Sequence, residues 1–221
     1  MRPMTDFHAH ILPEADHGSD GLETSLRQLR MAQEAGIRTV VATPHFYPQQ
    51  EDVEPFLQRR QRAYEQLMKA YSGRVRVLLG AEVQLCAGLN HLPGLNRLCI
   101  AGTNTLLVEM PFAEWTENLR QTLLTLQDSP DYTPVLAHVD RYYPPAVAEL
   151  LRSGVLGQLN AQGLCRLRGR RRLLQWVCDG SVAALGSDIH GTQTGYRQFQ
   201  RAVRILGNKT EMIMERTERL L

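Results

Sequence analysis

Apolar residues recur along the chain with two alternating periods. Leu22, Leu26, Leu29, Ala32 and Ala35 stand three or four apart, the spacing of one helical face, and Gly36 follows as a stop. Ile37 to Ala42 is then a short β-branched run, a buried strand ending in Thr43-Pro44-His45. The alternation repeats. A helix over 53–71 turns Phe56, Leu57, Tyr64, Leu67 and Met68 inward, and a strand over 74–79 ends in Gly80-Ala81-Glu82. A strand over 105–109 precedes a helix over 115–126 carrying Leu119, Leu123 and Leu126 on one face. Strands over 133–137, 155–160 and 182–186 alternate with helices over 145–153, 170–178 and 196–206, and one more helix is expected from Lys209 onward. Met4 to Phe7 opens the chain as a strand. The stretch 86–103 reads as loop, with Leu98 to Ile100 as an extra short strand.

Seven strands, most followed by a helix, imply an α/β protein with parallel strands and helices outside. A doubly wound open sheet and a closed barrel both fit that rhythm. The polar residues at the strand ends favour the barrel. His8 and His10, His45, Glu82, Glu109, His138, and Asp188 with His190 sit at the C-terminal ends of six different strands. Parallel barrels build their sites at that face from several strands, whereas an open sheet gathers ligands near one switch point.

Composition narrows the setting. The chain has 221 residues, 43% hydrophobic and 22% charged, with net charge +2. That suits a single globular domain over 1–221 and gives no global case for nucleic acid as partner. No apolar stretch is long enough for a signal peptide or a membrane span. Cys86, Cys99, Cys165 and Cys178 form no C-x-x-C pair and no scaffold rhythm, so they read as reduced thiols in a cytoplasmic protein.

The candidate ligands are His8, His10, His17, His45, Glu82, Glu109, His138, Asp188 and His190. Of the seven histidines only His91, in a loop, stands apart. Side chains alternate along a strand, so His8 and His10 share a side where the first strand ends. Mixed imidazole and carboxylate ligation without thiolate suits manganese, iron or zinc and argues against a structural zinc knuckle. The set is too large for one ion, and two or three ions bridged by a carboxylate fit it better. Such ions lower the pKa of bound water towards ~7 and clamp both oxygens of an in-line displacement. A phosphate monoester is the natural substrate, and Arg141 can grip its oxygens in a bidentate contact or else pair with Asp140. Asp16 or His45 is the proton donor to the leaving oxygen.

These residues resemble a known group. Asp6-x-His8-x-His10, Thr43-Pro44-His45, Gly80-x-Glu82, His138 with Arg141, and Ser187-Asp188-x-His190 look like the polymerase and histidinol phosphatase (PHP) superfamily. His-Ile-Leu-Pro at 10–13, Ala-Thr-Pro-His at 42–45, Val-Glu-Met-Pro-Phe at 108–112 and Ala-His-x-x-Arg-Tyr at 137–142 are closer still to the bacterial metal-dependent protein-tyrosine phosphatases of capsule and exopolysaccharide loci. That resemblance implies a distorted seven-stranded barrel with manganese the foremost metal. It implies a first metal on His8, His10, Glu82 and Asp188, and a second on Glu82, Glu109 and His138. His17, His45 and His190 would hold a third, and Arg141 would touch the phosphate. It also implies a phosphotyrosine protein as partner, such as the tyrosine-rich tail of a bacterial tyrosine kinase, and allows a homo-oligomer. Two positions depart from the branch. Histidine stands at 17 where an aspartate is usual, and Tyr196 with Arg197 stands where an arginine is expected.

Other readings compete. Histidinol-phosphate phosphatases and phosphodiester exonucleases use similar clusters, and a non-enzymatic metal-binding regulator would carry a degraded one. Cys165 and Arg171 satisfy the C-x5-R spacing of thiol phosphatases, but four long side chains and one glycine between them make a poor phosphate cradle. The arginines at 166, 168, 170, 171 and 172 have no aromatic stacking run beside them and read as a solvated helix entry.

Overall fold

The computed structural model describes residues 3–111, 115–192 and 196–221. In chain order its elements are β1 (Met4–Ala9), α1 (Leu22–Glu34), β2 (Ile37–Ala42), β3 (His45–Phe46), α2 (Val53–Ala70), β4 (Arg76–Leu79) and β5 (Glu82–Gln84). They continue as β6 (Thr105–Glu109), α3 (Glu117–Asp128), β7 (Thr133–Leu136), α4 (Pro144–Arg152), β8 (Leu156–Asn160) and α5 (Ala161–Cys165). The chain closes with α6 (Arg170–Asp179), β9 (Val182–Gly186), α7 (Arg197–Leu206) and α8 (Lys209–Arg219). Among the described residues no helix is long and apolar enough to cross a membrane.

Every strand pairing is parallel. The strands form two sheets, β1-β2-β4 and β3-β5-β6-β7-β8-β9, where the sequence predicts seven strands in one ring. The difference has a local cause. Two expected strands are each followed, after a break, by a further short strand: Thr43-Pro44 separates β2 from β3, and Gly80-Ala81 separates β4 from β5. Pro44 has no N–H to give to a ladder. Single hydrogen bonds carry the pairing past both breaks, from Gly80 N to Ala42 O (2.9 Å) and from Glu82 N to Pro44 O (3.1 Å). At the far side β1 meets the residues after β9 through one isolated bridge, Ala9 with Ile189. Asp188 N donates to His8 O (2.7 Å) and His10 N to Ile189 O (3.2 Å) along the same seam.

The apolar pattern does the holding. One large buried cluster lies between strands and helices, and includes Leu29, Phe56, Leu67, Leu123, Leu150, Val177 and Phe199. A smaller one joins Phe7 and Val41 of the first sheet to Leu107, Val135 and Ala183 of the second, with Leu220 beside them. Fully burying side chains of this kind contributes about 1.5–3 kcal/mol each, so the smaller cluster ties the two sheets together.

The loop-like stretch after β5 departs from the expected extra strand at Leu98 to Ile100. Leu89–His91 and Leu95–Leu98 are 3-10 turns instead. Gly88 (φ 79) and Gly94 (φ 80) lead into them in the left-handed region that side chains avoid. Leu95, Leu98 and Ile100 are buried, so their apolar spacing served the core rather than a ladder.

Candidate metal centre

Parallel strands put all their C-terminal ends on one side, and the candidate ligands gather there. His8 and His10 close β1 and the residue after it, His45 opens β3, Glu82 opens β5, and Glu109 ends β6. His138 follows β7, and Asp188 and His190 follow β9. His8, His10, Glu82 and His138 are buried to within 1% of full, and Glu109 and Asp188 nearly so. Carboxylates are costly to bury unless paired or metal-bound.

Glu82 is the meeting point. Its Oε2 lies 3.1 Å from His8 Nε2, 3.2 Å from His10 Nε2 and 3.0 Å from His45 Nδ1. Its Oε1 lies 2.8 Å from His138 Nε2, which is also 3.2 Å from Glu109 Oε1. Asp188 Oδ1 completes the group at 3.4 Å from His10 Nε2, 3.7 Å from His8 Nε2 and 3.4 Å from His190 Nδ1. Among the described residues three sets bring their ligand atoms within 4.8 Å of one another: His8, His10 and Asp188; His45, Glu82 and Glu109; His10, His45 and His190.

The donor set fits cations on the geometry alone. His8 Nδ1 faces Gln158 Oε1 (3.1 Å) and His10 Nδ1 faces Asp16 Oδ2 (2.6 Å), so both ring N–H groups point away from the centre. The two Nε2 atoms are then left facing each other at 3.0 Å. Two lone pairs that close repel unless a proton or a metal ion lies between them. The titration behaviour says the same. Burial alone would lower the pKa of His10, but hydrogen bonds to Asp16, Asp188 and Glu82 outweigh it and raise it well above the ordinary value. Burial opposes protonation of His138 too, yet Glu109 and Glu82 lift it to about 9. Burial would raise the pKa of Glu82, but the surrounding imidazoles hold it well below the usual range. The carboxylates that favour a charged imidazole at His10 and His138 favour a divalent cation there by the same attraction. His190 differs, since burial and the charge of His10 push it down to about 4.

The supporting residues depart from the sequence reading in several places. Asp16 is not placed as a proton donor. Its carboxylate accepts from His10, from Gly18 N (2.8 Å) and from His45 N (3.0 Å). Burial would raise its pKa, but His10 holds it well below the carboxylate range, so Asp16 stays ionised and orients His10. Arg141 does not pair with Asp140. Its Nη2 lies 2.5 Å from Asp188 Oδ2, while Asp140 Oδ1 accepts from Asn160 N (2.9 Å). His17 is exposed and stacks on His45 (centroids 4.8 Å, 10° between planes), with His190 also at 4.8 Å, but it joins none of the three tight ligand sets. Tyr196 is buried against Phe199, its hydroxyl turned to Asp6 and Ser187, and Arg197 is exposed. The arginine expected at that position therefore has no counterpart in Tyr196. Phe112, the last residue of the 108–112 motif, lies outside the described residues.

The thiol alternative fails on structure. Cys165 Sγ donates to Gln198 O (3.5 Å), and burial raises its pKa, the reverse of what a nucleophilic thiolate needs. Arg170 turns back onto the carbonyls of Leu164 and Cys165, and Arg172 lies over the ring of Trp176.

Sequence reasoning missed two residues. Gln158 and Asn160 on β8 are buried amides that touch His8, His138 and Asp188. Their signal was two amides at period-two spacing in an otherwise apolar strand. Three half-buried rings were missed as well. Tyr47 stacks beside His45 (5.4 Å), Tyr142 lies 5.4 Å from His138, and Trp115 meets Tyr142 edge-on at 5.0 Å.

Parallel strands ending in a cluster of buried imidazoles and carboxylates define an α/β protein built to hold divalent metal ions. More narrowly, the chain belongs to the CpsB/CapC family of capsular polysaccharide synthesis, whose family model matches residues 4–219. It is 29% identical over 215 residues to the tyrosine-protein phosphatase YwqE of Bacillus subtilis (strain 168), covering 92% of this chain and 84% of that protein. It is 25% identical over 228 residues to the tyrosine-protein phosphatase CpsB of Streptococcus pneumoniae, covering 93% and 90%. A solved structure from the work on YwqE and CpsB, described as unique metal-dependent tyrosine phosphatases, superposes with TM-score 0.83 at 25% identity over 99% of this chain and 94% of that one. The histidinol phosphate phosphatase of Lactococcus lactis, solved with zinc, L-histidinol and phosphate, shares the fold at TM-score 0.63 and 14% identity over 93% of each chain.

Proposed function

We propose that this chain is a metal-dependent protein-tyrosine phosphatase that removes phosphate from phosphotyrosine in a protein of capsule or exopolysaccharide control. The observation that carries the proposal is the convergence of three ring nitrogens on one oxygen of Glu82. In this reading His8, His10, Glu82 and Asp188 hold one ion, and Glu82, Glu109 and His138 a second. His45 and His190, with His17 over them, hold a third. Manganese is the foremost candidate, with iron or zinc as alternatives. Bound ions of this kind supply an activated water and neutralise phosphoryl charge.

The chain's own residues do the rest. Arg141 gives one nitrogen to Asp188 and is about one-third exposed at 36%, which leaves the remaining guanidinium to meet phosphate oxygens. Asp16 is held ionised and His45 is spent as a ligand, so neither carries a proton to the leaving oxygen. That favours a leaving group needing little protonation. A tyrosine hydroxyl has a pKa of about 10, far below that of an alcohol. Tyr47, Tyr142 and Trp115 add half-buried rings beside His45 and His138 on which a phenyl group can stack.

The same reading takes residues 1–221 as one domain in the cytoplasm, its two sheets forming a distorted seven-stranded barrel with β2–β3 and β4–β5 each counting as one strand. The tyrosine-rich tail of a bacterial tyrosine kinase is the substrate of choice, and a homo-oligomer is compatible with it. The test compares kcat/KM in manganese on a phosphotyrosine peptide, histidinol phosphate and a short oligonucleotide. The peptide is expected to lead. A ratio favouring histidinol phosphate, or hydrolysis confined to oligonucleotide ends, overturns the proposal.

A further inference from the structure

β8 supplies none of the candidate ligands, yet it runs between β7 and β9, which lead into His138 and Asp188. Its end carries Gln158 and Asn160, two apart and so on one face of the strand, and both are buried. A buried amide needs partners for its oxygen and its nitrogen. These two find them among the ligands and each other.

The direction of each hydrogen bond is forced. His138 N is a backbone N–H and can only donate, so the Gln158 atom 2.8 Å from it is the carbonyl oxygen. That oxygen also faces His8 Nδ1 at 3.1 Å, so Nδ1 carries the hydrogen and Nε2 presents its lone pair to the centre. The Gln158 amide then donates to Asn160 Oδ1 (2.9 Å), which turns the Asn160 amide to donate to Asp188 Oδ2 (2.8 Å). Asn160 and Arg141 together occupy Oδ2 and leave Oδ1 for His8, His10 and His190. Flipping either amide sets donor against donor or oxygen against oxygen.

Both neighbours need bracing. His138 (φ 33) and Asp188 (φ 52) hold left-handed backbone conformations that side chains adopt at a cost. Gln158 accepts the His138 N–H, and Asn160 takes the Asp188 side chain. The space is filled closely: a Cβ on Gly186 would fall 2.6 Å from Gln158 Nε2 and 2.6 Å from His8 Cβ.

We propose that Gln158 and Asn160 are positioning residues that couple two metal pockets. Gln158 orients His8 of one pocket and His138 of the other, and Asn160 carries the constraint to Asp188. The inference rests on the metal-dependent reading above, and its test is binding rather than turnover. Manganese is titrated calorimetrically into the metal-free full chain and three variants. Gln158→Leu, close in size but without an acceptor, is expected to lose 10- to 100-fold in affinity, roughly the range for partners of metal ligands, and to lose it in two pockets. Asn160→Ala is expected to lose affinity in one pocket only. Gln158→Glu, which restores the acceptor for His8 and His138, should recover most of the loss in the His138 pocket. A residue that merely fills space would leave Gln158→Leu unchanged. Wild-type affinity in a folded Gln158→Leu, or equal losses from Gln158→Leu and Asn160→Ala in the same single pocket, overturns the proposal. If Gln158→Leu does not fold, Asn160→Ala decides: unchanged binding overturns it and a one-pocket loss supports it. Wild-type protein that binds no manganese would instead sink the metal reading itself.

Discussion

One oxygen of Glu82 is shared among His8, His10 and His45, and the other faces His138. Glu82→Gln keeps the size and removes the charge that offsets more than one cation. Manganese content measured by mass spectrometry should therefore fall by more than one ion per chain, and unchanged content would remove Glu82 from the site. Tyr47 makes a separate prediction. Losing an aromatic stack costs about 0.5–1.5 kcal/mol, so Tyr47→Ala should raise KM for a phosphotyrosine peptide about two- to tenfold with kcat little changed. A fall in kcat at constant KM would give Tyr47 a different role. Cys165→Ser should turn over at a near-normal rate, because the thiol is spent on Gln198 O; a large loss would return the chemistry to sulfur. The gathering of the candidate ligands was legible in the sequence because imidazoles and carboxylates at so many strand ends have few other uses. Gln158 and Asn160 were not, since an amide in a strand looks like any polar residue until its partners are known. Arg141 was legible as a cation but not in its partner: burial turns the adjacent Asp140 towards Asn160 and leaves the distant Asp188 to the guanidinium.

At the scale of elements, periodicity located the longer strands that lead to the site and missed β3 and β5, the short strands that His45 and Glu82 open. The hydrophobic runs at 37–42 and 74–79 predicted two strands, and both exist. Pro44 and Gly80-Ala81 were read as their ends, whereas each is a break after which the chain resumes as a strand of the second sheet. Pairing across such a break rests on long-range geometry that a local pattern does not carry. The extra strand expected at 98–100 failed because burial alone imitates alternation in a 3-10 turn. The contact of β8, β9 and β1 yields a prediction of its own. Gly186→Ala forces a methyl group against Gln158 and His8. Overpacking of this kind costs about 1–3 kcal/mol, which should appear as a lower denaturation midpoint with weakened manganese binding. Full stability and full binding would mean that β9 can shift away from β1 without consequence.

Across the whole molecule the apolar clusters and the candidate metal ligands are built from different residues. Phe7, Val41, Leu107 and Val135 hold the sheets together independently of the imidazoles. Chelation should abolish phosphatase activity and leave the far-ultraviolet circular dichroism nearly unchanged; full activity in demonstrably metal-free protein, or collapse of the spectrum, would contradict that separation. The seam between β1 and the segment after β9 has a further consequence for how the protein comes into being. His8 and His10 leave the ribosome well before Asp188 and His190, and before the bridge from Ala9 to Ile189 that fixes them can form. Until then the nascent chain offers a pair of imidazoles with no Asp188 carboxylate to join them, and β1 lacks its last neighbour. A group that spans this seam, such as His8, His10 and Asp188, is thus completed only after β9 has been made.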